Sequence, residues 1–289
     1  MACRIITDTT ANLPFDQIQK LGIDVFTTQL EVDGKPYLCP LDLHDFDAKG
    51  YYDALRSGVA AKTSLINAAR FIEVFTPMLD AGDDLVYVGL SSGVSGTLQS
   101  ARMAAEQLRE EYPARRIAIV DSLGAGLGIG MITCHAADLR NAGQAFSAIV
   151  TDTLRYRDDL RQYFTVDDMM YLRRGGRVSG AKAVLGTVLQ IKPILYGSEA
   201  GKIEMIEKAR GRRGSINRLA ELYREHAVDP QHGRVAISHG DCEEDAAALA
   251  EQICAIAQPG ELIVEVHEPL TGAHVGPGML ALFFESRGR

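Results

Sequence analysis

Ten consecutive residues, Val88-Gly-Leu-Ser-Ser-Gly-Val-Ser-Gly-Thr97, include seven that are glycine, serine or threonine and none that is charged. A helical pattern follows them. A helix N-terminus offers unpaired N–H groups and the positive end of the helix dipole, so a turn at that place attracts anions. Gly93 and Gly96 let backbone approach a ligand, and Ser91, Ser92, Ser95 and Thr97 supply neutral donors. The lysine of a Walker loop and the G-x-G-x-x-G spacing of a dinucleotide site are both absent. Without a positive side chain, the turn suits a singly charged carboxylate better than a polyphosphate. The same small residues also suit tight strand–helix packing, with one hydroxyl capping the helix. The turn by itself leaves both readings open.

Three other stretches carry chemistry. Thr7-Asp8-Thr9-Thr10 is a small polar turn that also reads as an ordinary helix cap, and Lys62-Thr63-Ser64 adds a pair of hydroxyls. In Thr271-Gly-Ala-His274-Val-Gly-Pro-Gly278 one histidine stands among glycines and a proline. Such a segment is expected to be a loop with no helix face to pack on. Its imidazole is then free to donate to a carboxylate or to act as a base near neutral pH. The other six histidines lack metal-ligand spacing, and the five cysteines lack CxxC spacing, so reduced thiols and no metal site are expected. Tyr171-Leu-Arg173-Arg174-Gly-Gly-Arg177 concentrates arginines at an expected helix end, where cations and a glycine cap are favourable. Guanidinium groups also pair with phosphates or carboxylates of a partner, and Arg210, Arg212 and Arg213 form a second basic loop.

The elements that must position these residues read as α/β. Strands are expected at Cys3–Thr7, Leu85–Leu90 and Ile117–Val120, each ending in a polar turn. Leu98, Ala101, Ala105 and Leu108 recur at helical spacing after the second strand. That alternation implies a parallel sheet with ligands at the carboxyl ends of its strands, where Asp8, Ser91 and Asp121-Ser122 lie. Further on, a helix is expected between Thr165 as N-cap and Gly175 as stop. Others fit Ser215–Ala227 and Asp241–Ala257, among strands at Val235–Ser238, Leu262–Val266 and Leu280–Phe284. A chain of 289 residues is long for one core, so two domains are expected, residues 1–150 and 151–289. A net charge of −8 argues against nucleic acid or an anionic membrane as partner. The longest apolar run, Ala183–Leu195, is too short and too interrupted to insert stably in a bilayer. With no signal-peptide pattern at the N-terminus, a cytoplasmic location is expected.

Taken in order, the T-D-T-T turn, the K-T-S pair, S-S-G-V-S-G-T-L-Q-S-A, D121-S-L-G, Y-L-R-R-G-G-R-V-S and G-A-H-V-G-P-G resemble the DegV family of bacterial fatty-acid-binding proteins. The resemblance runs along nearly the whole chain. It implies a two-domain α/β fold, an N-terminal parallel-sheet domain and a C-terminal mixed-sheet domain, with a long-chain fatty acid between them. It further implies a carrier without cofactor or catalysis of its own, presenting the acid to a fatty acid kinase for acyl phosphate formation in phospholipid synthesis. By position, Thr63, Ser64, Ser95 and His274 match the family's carboxylate contacts, and Arg173 and Arg210 match positions facing the kinase. Leu65-Ile66-Asn67 departs from the family's usual Gln-Pro-Ser and puts the adjoining pocket wall in question. Val184, Leu185, Val188 and Leu189 are candidates for the wall of the tail tunnel. The rival reading is a serine esterase or hydrolase of acyl substrates using Ser95 and His274, because Gly93-Val-Ser95-Gly96-Thr97 narrowly misses G-x-S-x-G.

Overall fold

The computed structural model describes residues 2–178 and 191–288. The chain begins β1 (Cys3–Asp8), α1 (Phe15–Leu21), β2 (Asp24–Phe26), β3 (Gln29–Val32), β4 (Lys35–Leu38), α2 (Ala48–Arg56), β5 (Ala61–Thr63) and α3 (Ala68–Asp80). It continues β6 (Asp84–Gly89), α4 (Thr97–Glu111), β7 (Ile117–Asp121), α5 (Leu127–Asn141) and α6 (Phe146–Asp159). Next come β8 (Leu160–Thr165), α7 (Met170–Gly175), β9 (Ile191–Gly197), β10 (Ile203–Arg210) and α8 (Gly211–His226). The last elements are β11 (Arg234–His239), α9 (Glu243–Ile256), β12 (Glu261–Val266), α10 (Pro269–Val275) and β13 (Leu280–Glu285).

An unbroken apolar run makes β6 a strand buried on both faces, as a parallel sheet requires. It pairs in parallel with β1 and β7 in a four-stranded sheet ordered β2-β1-β6-β7. Leu98, Ala101, Ala105 and Leu108 of α4 are all buried against one face, with Phe71 and Phe75 of α3. The other face packs on α5. The second sheet has six strands, ordered β10-β9-β8-β13-β11-β12, and only its β11–β12 pair is parallel. The period of two along β13 divides its side chains. Leu280, Leu282 and Phe284 join the core under α8 and α9, while Ala281 and Phe283 join the core shared with α5. The two sheets therefore meet through α5 and the inner face of β13.

The expected strands lie within one or two residues of the observed ones. Residue 150, the expected division, falls inside α6. Two expectations are corrected. Thr165 does not cap a helix: it ends β8, and the short α7 starts at Met170, whose N–H donates to Asp168 Oδ1 at 2.8 Å. His274 is not in a loop but on the last turn of α10, a helix opened by Pro269 at its first position and capped by Glu268. An antiparallel sheet ordered β4-β3-β5, which local patterning does not suggest, places Thr63 opposite Leu30 at the end of β5. Val184, Leu185, Val188 and Leu189 lie outside the described residues.

Candidate functional site

Thr63, Ser64, Ser95 and His274 come together on the wall of one cavity of about 170 Å³. Thr63 arrives at the end of β5 and His274 at the end of α10, and Thr63 Oγ1 lies 2.8 Å from His274 Nε2. Ser95 closes the serine turn. Its Oγ accepts from the Thr97 N–H at 3.2 Å and donates to Thr97 Oγ1 at 3.1 Å. Thr97 Oγ1 also accepts from the Ile66 N–H at 3.1 Å, which ties the 64–66 edge to the start of α4. Leu65 and Ile66 both line the cavity, whereas Asn67 leaves it and caps α3, accepting from the Arg70 N–H at 2.9 Å. Ser64, Leu65 and Gly96 are exposed, so the cavity opens to water at this edge.

The rest of the serine turn does other work. Ser91 Oγ donates to the Gly201 carbonyl at 2.7 Å, and Ser92 Oγ donates to Asp121 Oδ2 at 2.5 Å. Gly93 packs so closely on the β9–β10 turn that an added Cβ would stand 2.4 Å from the Gly201 oxygen. The residues of the turn thus divide into two groups. Ser91, Ser92 and Gly93 fasten and pack, and Ser95 with Thr97 faces the cavity.

The charges differ from expectation. Arg177 lines the same cavity, so the reading of a nest without a positive side chain is corrected. A left-handed turn at Gly176 (φ 69°) brings Arg177 back, and its guanidinium donates to the Val94 carbonyl at 3.2 Å and to the Gly175 carbonyl. Arg173 and Arg210, in contrast, are exposed and stand outside the cavity wall. Asp8, also on the wall, is fully buried and accepts from the Thr10 N–H at 2.9 Å and from the Tyr87 hydroxyl at 2.5 Å. Burial raises its pKa despite these donors. Burial, and after it the Arg177 charge, hold His274 down at about 4, so its ring is neutral at physiological pH. Sequence reasoning read Asp8 as a cap at the ligand-binding edge of the sheet and left Arg177 between helix-end solvation and pairing with a partner. Their shared place at the cavity depends on long-range packing.

Behind the wall, the α10 cap supplies a pH test. Glu268 accepts from the Leu270 N–H at 2.6 Å and the Thr271 N–H at 2.8 Å. Burial outweighs these bonds and lifts its carboxyl from 4.5 to about 7. Between those values the folded protein keeps a proton that the unfolded chain has released, so stability falls as pH rises across the window. The full difference is on the order of 3 kcal/mol. Glu268→Gln removes this titration, so its stability relative to wild type should climb by about that amount from acidic to alkaline pH. Urea unfolding at a series of pH values checks it, and a pH-independent difference would refute the assignment.

Val94, Ala125, Ile203, Thr271 and Val275 line both this cavity and a second one of about 80 Å³. The second lies between the 123–125 loop and strands β8 and β13, with Phe164, Ala281 and Phe283 on its wall. The two cavities thus adjoin across these five residues, and the second is the more apolar of the two. Among the described residues no group of side chains suits a metal ion, and no helix is long and apolar enough to cross a membrane.

The same architecture occurs in known proteins. The family model described as "Uncharacterised protein, DegV family" matches residues 2–287. A DegV domain-containing protein of Clostridium perfringens is 35% identical over 280 residues, covering 97% of this chain and 96% of its own length. A DegV family protein from Thermus thermophilus, described by its fatty acid binding, superimposes with a TM-score of 0.89 at 29% identity, over 99% of this chain and 100% of that one. DegV of Bacillus subtilis, described as a fatty acid binding protein, gives 0.85 at 27% identity, over 99% and 100%. With a match along almost its entire length and the same two-sheet architecture, this chain belongs to the DegV family.

Proposed function

We propose that this protein is a cytoplasmic carrier that binds a long-chain fatty acid and presents its carboxylate to a fatty acid kinase. In this reading residues 1–150 and 151–289 are the two domains that enclose the acid. The observation that carries it is the cavity walled by Thr63, Ser64, Ser95, Arg177 and His274, which adjoins a second, more apolar cavity across five shared residues. A carboxylate held beside apolar surface must be hydrogen-bonded. The hydroxyls of Thr63, Ser64 and Ser95, the His274 ring and the Arg177 guanidinium stand where they can do this. Each buried methylene contributes ~0.8 kcal/mol, so the tail supplies most of the affinity and the head fixes orientation. The fatty acid binding described for the Thermus and Bacillus relatives supports the same reading. So does the open edge at Ser64 and Leu65, through which a partner can reach the head group.

The hydrolase alternative is less well supported. A nucleophilic serine needs a base within hydrogen-bond reach. Here Ser95 Oγ is bonded to Thr97 and His274 Nε2 to Thr63. Organic extraction and mass spectrometry of the purified protein test the carrier reading. About one fatty acid per chain is expected, and finding none after lipid is supplied would sink it.

The partner face is tested separately. Arg173 is exposed on α7 and outside both cavities. Arg173→Glu places like charge against an acidic partner surface, which can cost several kcal/mol. Acyl phosphate formation with a fatty acid kinase should fall at least about tenfold, the effect of ~1.4 kcal/mol. Fatty acid affinity should hold near wild type, and Arg210→Glu should behave alike. Loss of fatty acid binding in the same variant would move Arg173 from the partner face to the pocket.

A further inference from the structure

Three buried side-chain polar atoms among the described residues have no hydrogen-bond partner: Thr153 Oγ1, Gln162 Nε2 and Thr165 Oγ1. Of these, Gln162 stands on the wall of the apolar chamber. It is carried by β8 opposite Phe283 and is only 6% exposed. The wall is mainly apolar, with Leu123, Phe164, Met279 and Phe283, and on it Ser91, His267 and Thr271 are bonded to other groups.

The position is built for an amide. A Cβ at Gly124 would stand 2.1 Å from Gln162 Oε1 and 2.2 Å from Nε2, and one at Gly128 would stand 2.3 Å from Oε1. Two glycines on the facing segment therefore leave the room that this amide fills. An unpaired buried amide is unfavourable by roughly 1–3 kcal/mol. A leucine or methionine there would suit a plain hydrocarbon tail better.

We propose that Gln162 makes this pocket select acyl chains bearing a hydroxyl group along the tail, to which the amide hydrogen-bonds. This deepens the fatty-acid reading and rests on it. A hydroxyl both donates and accepts, so it satisfies the amide whichever of its ends meets the ligand. Gln162 lines the apolar cavity and not the one that holds Thr63 and His274, so an acyl chain that occupies both meets it with the distal part of its tail. The matching hydroxyl is consequently well down the chain and not beside the carboxylate. A hydroxyl elsewhere on the tail would be buried without a partner and rejected.

The test is calorimetric titration of the delipidated protein with stearate and with hydroxystearates whose hydroxyl is moved stepwise along the chain. One position is expected to bind at least as tightly as stearate, and its neighbours about tenfold more weakly. In Gln162→Met the favoured isomer should lose about tenfold while stearate gains about threefold, because the unpaired donor is gone. If stearate outcompetes every isomer in the wild type, a bound water serves the amide and the proposal falls. That wild-type series needs no variant to fold. If stearate itself does not bind, the fatty-acid reading falls and takes this proposal with it. If stearate binds but all isomers are shifted alike, only the role of Gln162 is overturned.

Discussion

Gly93→Ala is expected to weaken fatty acid binding by about a hundredfold, although it removes no group from the ligand. Its Cβ would meet the Gly201 oxygen at 2.4 Å, the Gly201 carbon at 2.5 Å and the Ala200 oxygen at 2.8 Å. These are backbone atoms, and no rotamer change moves them aside. The turn that carries them is itself fastened, with the Gly201 N–H donating to the Ser198 carbonyl at 2.8 Å and the Ser198 N–H to the Lys202 carbonyl at 2.9 Å. The whole hairpin end must shift, and the Ser91–Gly201 bond goes with it. Overpacking is unfavourable by about 1–3 kcal/mol and the lost bond by about 1 kcal/mol more. Ser91, Val94 and Gly201 all line the apolar chamber, so the strain opens the tail wall. About 3 kcal/mol expressed in binding is roughly a hundredfold. Calorimetry and thermal unfolding measure it, with Gly214→Ala on α8 as the contrast. Nothing lies within 4 Å of that added Cβ, so stability should hold or rise slightly. Wild-type affinity in Gly93→Ala would mean that the contact does not set the tail wall.

The same residue marks how far the sequence could be read. The strands were legible because β1, β6, β11 and β13 are short apolar runs bounded by polar turns, and α4 because its alanines and leucines keep helical spacing. That Thr63, Ser64, Ser95 and His274 belong together was legible through resemblance and through their hydroxyl and imidazole chemistry, and they share one cavity wall. What stayed hidden depends on distant partners. Glycines at 272, 276 and 278 made α10 look like a loop, though Glu268-Pro269 is a helix-start signal that could have found it. Thr165 looked like a cap because its strand pairing with Leu280 is invisible locally. The β4-β3-β5 sheet joins segments whose alternation is weak. Gln162 sits in a strand whose neighbours are mixed in polarity, and only the facing Gly124 and Gly128 show why an amide is there.

Arg177 is the residue whose role depends most on the fold, and Arg177→Met should also reduce fatty acid affinity about a hundredfold. Within an apolar cavity, removing one partner of a hydrogen-bonded charge pair is unfavourable by about 2–5 kcal/mol, since the other charge is left unpaired. The wall also holds the buried Asp8, and among the described residues Arg177 is its one guanidinium or ammonium group. The loss should depend on pH in a definite direction. His274 is held at about 4 by burial first and by Arg177 second. Taking Arg177 away removes the second cause and leaves the larger one, so the His274 pKa rises only part of the way toward its ordinary value of 6.5. As pH falls through that range, the variant's imidazole gains a proton and replaces part of the missing charge. The wild-type ring stays neutral over the same range and has no such gain. The deficit in Arg177→Met should therefore be largest near ~pH 8 and narrow as the pH is lowered toward ~5.5. Arg177→Lys keeps the charge without the fork to the Val94 and Gly175 carbonyls, so it should recover part of the affinity at both pH values. Titration calorimetry of the three proteins at the two pH values decides. A deficit that is the same at both, and is not relieved by lysine, would make Arg177 a brace for the 94 and 175 carbonyls and not the counter-charge of the ligand.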